Sequence, residues 1–147
     1  MPSVKKTVVT AKLGEKFVIE SRIRDHVVRV DQPKTAGGTD AGPTPLEYLF
    51  VSLAGCIGTI GRIIAHQRKI ALRSMDITIE GDIDVDVLLG RTQEGRAGFH
   101  GIRALVKVDA DLSSEEKRKL LHEIDVRCPI SENLQHETPL EIALAEK

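Results

Sequence analysis

The stretch "TPLEYLFVSLAGCIGTIGR", residues 44–62, constrains this chain most. Apart from Glu47 and the closing Arg62 it carries no charge, so as a helix it is apolar almost all the way round and needs cover on most of its surface. Thr44 is a good N-cap, Pro45 suits the first helical position, and Glu47 follows the cap by three, which together make a capping box. The helix is expected to run from Pro45 to about Lys69. Its charge-free part, Tyr48 to Gly61, is shorter than the ~20 residues a membrane span needs, so it reads as a core helix. Within it Cys56 stands among Gly55, Gly58 and Gly61. Each glycine costs about 1 kcal/mol against Ala in a helix interior. Three of them imply that something packs very close: a second helix, a partner subunit or a small ligand reaching the thiol.

The rest of the chain is patterned for α+β, with mostly antiparallel strands. Its 147 residues fit a single domain, 1–147. Residues 4–31 read as a meander: "VKKTVVTAKL", a turn at Gly14-Glu15, "KFVIESRI", a tight turn at Arg24-Asp25, then "HVVRVD". A loop dense in Pro and Gly spans residues 32–43 and precedes the long helix. From Met75 to Leu89 apolar and polar residues alternate, which predicts one half-buried strand, bulged at Gly81. Its partner, "HGIRALVKVDA", turns Ile102, Ala104, Val106 and Val108 inward. Ser113 and Glu116 form a second capping box ahead of an amphipathic helix carrying Leu120, Leu121 and Ile124. A short helix is expected at "CPISENL", with Cys128 as cap and Pro129 first, and "PLEIALAEK" reads as a closing strand.

Composition excludes several functions. With a net charge of −1 and 3% aromatic residues, the chain offers neither a basic surface nor a stacking platform for nucleic acid. The N-terminal "MPSVKKTVVTAK" has no apolar core of a signal peptide, so a cytoplasmic protein without membrane attachment is expected. The two cysteines are then expected to be reduced. They form no Cys-x-x-Cys and share no zinc-like spacing with the five histidines, so neither metal nor cofactor is expected. The acidic row Asp82, Asp84 and Asp86 lies on a straight strand face opposite Arg103 and Lys107, which suits cross-strand charge pairing better than a calcium loop. Ser113 and Ser131 sit in cap-like positions, with no nucleophile elbow.

That leaves the thiols. Cys128, beside Arg127 and at a helix N-terminus, stands where unpaired N–H groups and the helix dipole favour a thiolate. Cys56 lies three turns into its own helix and gains little from that dipole. Alone it would read as a small apolar core residue, but the glycines around it weigh against that. Two such cysteines can make a thiol-peroxidase pair, in which one thiolate becomes a sulfenic acid and the other condenses with it to a disulfide.

"GGTDAGPTPLEYLFVSLAGC" followed by "RCPISENL" resembles the OsmC family, the osmotically inducible and organic hydroperoxide resistance proteins, over nearly the whole chain. The resemblance implies an α+β fold in an intertwined homodimer, with a long central Cys-bearing helix and active sites at the subunit interface. It implies Cys56 as the peroxidatic and Cys128 as the resolving cysteine, organic hydroperoxides as substrates and a dithiol as reductant, an antioxidant activity in oxidative stress. One departure stands out. Peroxidases of the family carry a glutamate directly after the helix-starting proline, paired with an N-terminal arginine. Here Leu46 follows Pro45, and the acid is Glu47. Nine residues of helix turn about 900°, so Glu47 and Cys56 point to opposite sides, and the capping box already accounts for Glu47. Of Arg22, Arg24 and Arg29, Arg24 at its strand turn is the first choice for the arginine. The chain thus resembles a general OsmC-like branch. Expected catalytic residues are Cys56, Cys128, Glu47 and Arg24. The alternatives are an OsmC-fold protein that binds a small hydrophobic ligand without turnover, and a structural dimer module with inert cysteines.

Overall fold

A computed structural model describes residues 2–146. The chain divides into two compact units, Met1–Leu49 and Phe50–Lys147.

In the first unit β1 (Thr10–Leu13), β2 (Ile19–Ile23) and β3 (His26–Val30) form an antiparallel sheet in that order. Ile23 pairs with His26, so Arg24-Asp25 is a two-residue turn, with Arg24 in the left-handed region at φ 55°. β1 is shorter than the run from Val4 predicts, and residues 4–9 are exposed and outside any strand. The Pro/Gly-rich loop is organised by a residue the sequence reading passed over. Asp31 is buried, and its carboxylate accepts hydrogen bonds from the backbone N–H of Gln32 (2.7 Å), Thr39 (3.0 Å) and Ala41 (3.0 Å) and from the Thr39 hydroxyl (2.5 Å). Four donors around one carboxylate hold it far below the usual range. Gly38 is required there, since a Cβ would sit 1.9 Å from the Gln32 carbonyl oxygen. At the exit of the loop Tyr48 donates to the Arg29 carbonyl oxygen at 2.7 Å, tying the start of α1 to β3.

α1 runs from Pro45 to Gln67. Lys69 at φ 55° ends it, and the Ile70 N–H returns to the Ala65 carbonyl oxygen at 2.8 Å, a Schellman closure built without glycine.

In the second unit β4 (Leu72–Ile83) and β5 (Phe99–Ala110) form a two-stranded antiparallel sheet. The expected strand to Leu89 is overturned after Ile83. Asp84 instead caps a short helix, α2 (Val85–Leu88), accepting from the Asp86 N–H at 2.9 Å. Local capping by an Asx side chain outweighs the period-two pattern that continues through those residues. Gly81 pairs regularly with Ile102, and the irregularities fall at Leu72/Ser74 and Asp82/Ile83. Glu80 faces Arg103, and Asp76 faces Lys107. α3 (Ser114–Arg127) starts from the complete Ser113/Glu116 capping box. α4 (Pro129–Gln135) follows after one residue.

The core of this unit joins Leu53, Ile57, Ile64 and Ala65 of α1 to Leu72, Val108, Leu120, Ile124 and Cys128. Each fully buried Leu or Ile contributes on the order of 1.5–3 kcal/mol. Among the described residues the expected closing strand does not form. Residues 137–146 have no regular structure, and Leu140, Ile142 and Leu144 are 86%, 93% and 93% exposed. A strand needs a partner edge, and among the described residues no strand pairs with this segment.

Candidate functional site: two thiols in contact

Cys128 is the single residue between α3 and α4. Proline at 129 disfavours helical backbone in the residue before it, so Cys128 is extended (φ −82°, ψ 112°) and ends α3. The same proline opens α4, leaving Cys128 as its N-cap. Cys128 is fully buried and Cys56 is half-buried, and both are free thiols.

The sulfurs lie 2.7 Å apart, with the Cys128 thiol donating to Cys56 Sγ. A disulfide bond is about 2.05 Å long, so closure needs an approach of only about 0.7 Å. Two successive amides of α4 serve the pair. The Ser131 N–H donates to Cys128 Sγ at 3.4 Å, and the Ile130 N–H donates to Cys56 Sγ. Burial and the neighbouring thiol push the Cys56 pKa up, and the Ile130 N–H partly offsets them.

Gly61 explains how the two helices bring the thiols together. A Cβ there would lie 2.8 Å from Met75 Sδ and 3.2 Å from Ile124 Cδ1. Glycine therefore lets β4 and α3 approach α1 about one and a half turns from Cys56. The other two glycines do not share this role. A Cβ at Gly58 would make an ordinary 3.7 Å contact with Ile77, and one at Gly55 would meet nothing within 4 Å. Within the chain itself, then, only Gly61 is tightly packed. A three-residue spacing drifts around the helix, so only Gly61 reaches the packed side.

A cavity of about 420 Å³ opens beside the pair. Leu53 and Ile57 of α1, Val106 of β5 and Ile124 of α3 line its apolar part. Asp125, Ser131 and Gln135 supply its polar part, and neither sulfur lines it.

The remaining expected site residues belong to the first unit. Glu47 closes the capping box of α1: its carboxylate accepts from the Thr44 N–H at 2.7 Å, and its own N–H donates to Thr44 Oγ1 at 3.3 Å. Arg24 occupies the β2–β3 turn, where the left-handed backbone favours Gly or Asn. Sequence reading missed the Ile130 amide and the Asp125–Ser131–Gln135 group. The available signal was the symmetric placement of Asp125 and Ser131, three residues either side of Cys128.

The profile of the family described as OsmC-like protein matches residues 37–143. The chain belongs to the OsmC-like family. Among solved structures, the OsmC-like protein from Mycoplasma pneumoniae is similar at 22% identity, with 90% of this chain and 89% of that one covered and a TM-score of 0.79. An organic hydroperoxide resistance protein OsmC from Legionella pneumophila is 21% identical over 91% and 92% of the two chains, with a TM-score of 0.68. An organic hydroperoxide resistance protein from Elizabethkingia anophelis is 19% identical over 93% of both, with a TM-score of 0.66. At these identities the likeness establishes an OsmC-like α+β fold with antiparallel sheets. No curated protein matches the chain by sequence.

Proposed function

We propose that this OsmC-like chain is a cytoplasmic thiol peroxidase that reduces organic hydroperoxides, a single domain working as a homodimer. The observation that carries the reading is the contact of two free thiols, one reachable from solvent and one buried. The Cys56 thiolate attacks the outer oxygen of ROOH. The O–O bond breaks, ROH leaves with a proton, and Cys56 becomes a sulfenic acid. Cys128 then attacks that sulfur, the S–O bond breaks, and water departs with the thiol proton as the disulfide forms. A dithiol reduces the disulfide by exchange. The raised pKa of Cys56 leaves room for an activating cation.

The dimer is supported by unpaired apolar surface. By length and composition alone α1 would pass for a membrane span, yet only 28% of its most apolar window is buried. Val51 is 61% exposed, and the apolar tail residues are barely covered. A second copy would cover such surface. Light scattering is expected to give twice the 16.1 kDa chain mass, and a monomer would overturn the dimer.

The peroxidase is tested by mixing reduced protein with one equivalent of cumene hydroperoxide and counting thiols. Loss of both thiols per chain is expected, and survival of both overturns the reading. The 420 Å³ cavity, which no sulfur lines, favours a second reading as a binder of small hydrophobic ligands. A ligand retained in native mass spectrometry, and held equally by Cys56→Ser, would support it.

A further inference from the structure

Two helices joined by one residue make a hinge. Rotation at Cys128 would swing α4 against α3 and carry its sulfur away from Cys56. The structure holds a brace across that hinge. Asp125 precedes Cys128 by three residues in the last turn of α3, and Ser131 follows it by three in the first turn of α4. The Ser131 hydroxyl donates to Asp125 Oδ1. Gln135, the last residue of α4, donates through Nε2 to the same oxygen at 3.0 Å and to Ser131 Oγ at 2.7 Å. The closed triangle thus ties both ends of α4 to α3. Ser131 is 8% exposed, and its own amide and the one before it are the two that reach the sulfurs.

We propose that Asp125, Ser131 and Gln135 are positioning residues for the resolving step, fixing the α3–α4 corner so that Cys128 captures the Cys56 sulfenic acid before a second hydroperoxide does. The inference rests on the peroxidase reading. The competing fate is balanced as Cys56–SOH plus ROOH giving Cys56 sulfinic acid plus ROH, a loss the disulfide route avoids. Displacements of the order of 1 Å are enough to slow an intramolecular reaction about a hundredfold, so a loosened hinge shifts the partition without touching either sulfur.

The test compares Ser131→Ala, which removes the hydroxyl, with Ser131→Thr, which keeps it. The first readout is the disulfide-to-dithiol ratio at equilibrium in glutathione buffers. Ser131→Ala is expected to lower the effective concentration of the two thiols about tenfold, with Ser131→Thr close to wild type. The second is the fraction of Cys56 sulfinic acid, by mass spectrometry, under excess cumene hydroperoxide. It is expected to rise in Ser131→Ala and to stay at the wild-type level in Ser131→Thr. A folded Ser131→Ala protein with wild-type values in both measurements overturns the brace. So does a lowered melting temperature with both values unchanged, the mark of a merely structural role. Gln135→Ala, at an exposed side chain, carries the same test if Ser131→Ala does not fold. If wild-type thiols ignore hydroperoxide, the peroxidase reading fails, and the glutathione equilibrium alone decides whether the brace exists.

Discussion

Cys56 stands in the middle of a 23-residue helix and is partly open to solvent, whereas Cys128 is sealed at a one-residue corner with the first turn of α4 in front of it. Position along the sequence favours the second as the reactive thiol, because it caps a helix and borders Arg127. Exposure favours the first. The two criteria are separate physical quantities: a helix terminus supplies a field, and packing decides what can arrive. An oxidant has to reach the attacking sulfur, whereas a resolving thiol needs only to touch its partner. Under the proposed peroxidase reading, burial therefore argues against Cys128 for the first task while suiting it to the second.

The sharpest way to break this division of labour is to remove each sulfur in turn. Cys56→Ser is expected to reduce hydroperoxide consumption to background. Cys128→Ser is expected to complete one turnover and stop with a sulfenic acid on Cys56 that dimedone traps. Equal dimedone labelling of Cys128 in the Cys56→Ser protein would erase the distinction.

A smaller effect separates the thiols in the resting protein. Iodoacetamide is expected to label Cys56 at least about a hundredfold faster than Cys128, which must wait for local opening. The rate at Cys56 is expected to climb about tenfold per pH unit beyond pH 8, since its pKa is raised above an ordinary thiol's. A plateau below pH 8 would contradict the buried environment. The same shift has a sign for stability. Folding favours the neutral thiol, so this contribution is complete below the unfolded pKa of about 8.5 and is lost as pH rises through the folded value.

The parts of the molecule written in local chemistry were legible. Both capping boxes, Thr44/Glu47 and Ser113/Glu116, form where their spacing places them, because each is settled within four residues. The Cys-Pro corner is legible for the same reason. Whatever depends on the partner of a segment was not. The alternation through Val85, Val87 and Leu89 looks like strand, yet Asp84 claims those residues for α2. The alternation at Leu140, Ile142 and Leu144 also looks like strand, yet among the described residues it pairs with no strand. Asp31 was invisible as a brace because three of its four donors lie eight and ten residues away, two of them backbone amides. The contact between the sulfurs was equally out of reach, since it depends on how closely α3 approaches α1.

That approach is what the glycines test, with the smallest effects of the series. Gly61→Leu is expected to cost about 1–3 kcal/mol in urea unfolding, because Met75 and Ile124 already fill the space a side chain needs. It is also expected to slow disulfide formation, since it pushes α3, and Cys128 with it, away from Cys56. Gly55 flanks the exposed side of the same thiol. With nothing within 4 Å of its Cβ position, Gly55→Ala is expected to gain about 1 kcal/mol from helix propensity if that side of α1 stays open. If a second copy packs there, the added methyl meets it, and the gain turns into a loss together with weaker self-association. The sign of this change, read with the protein concentration varied, reports whether the solvent-facing thiol of the chain is also solvent-facing in the assembly.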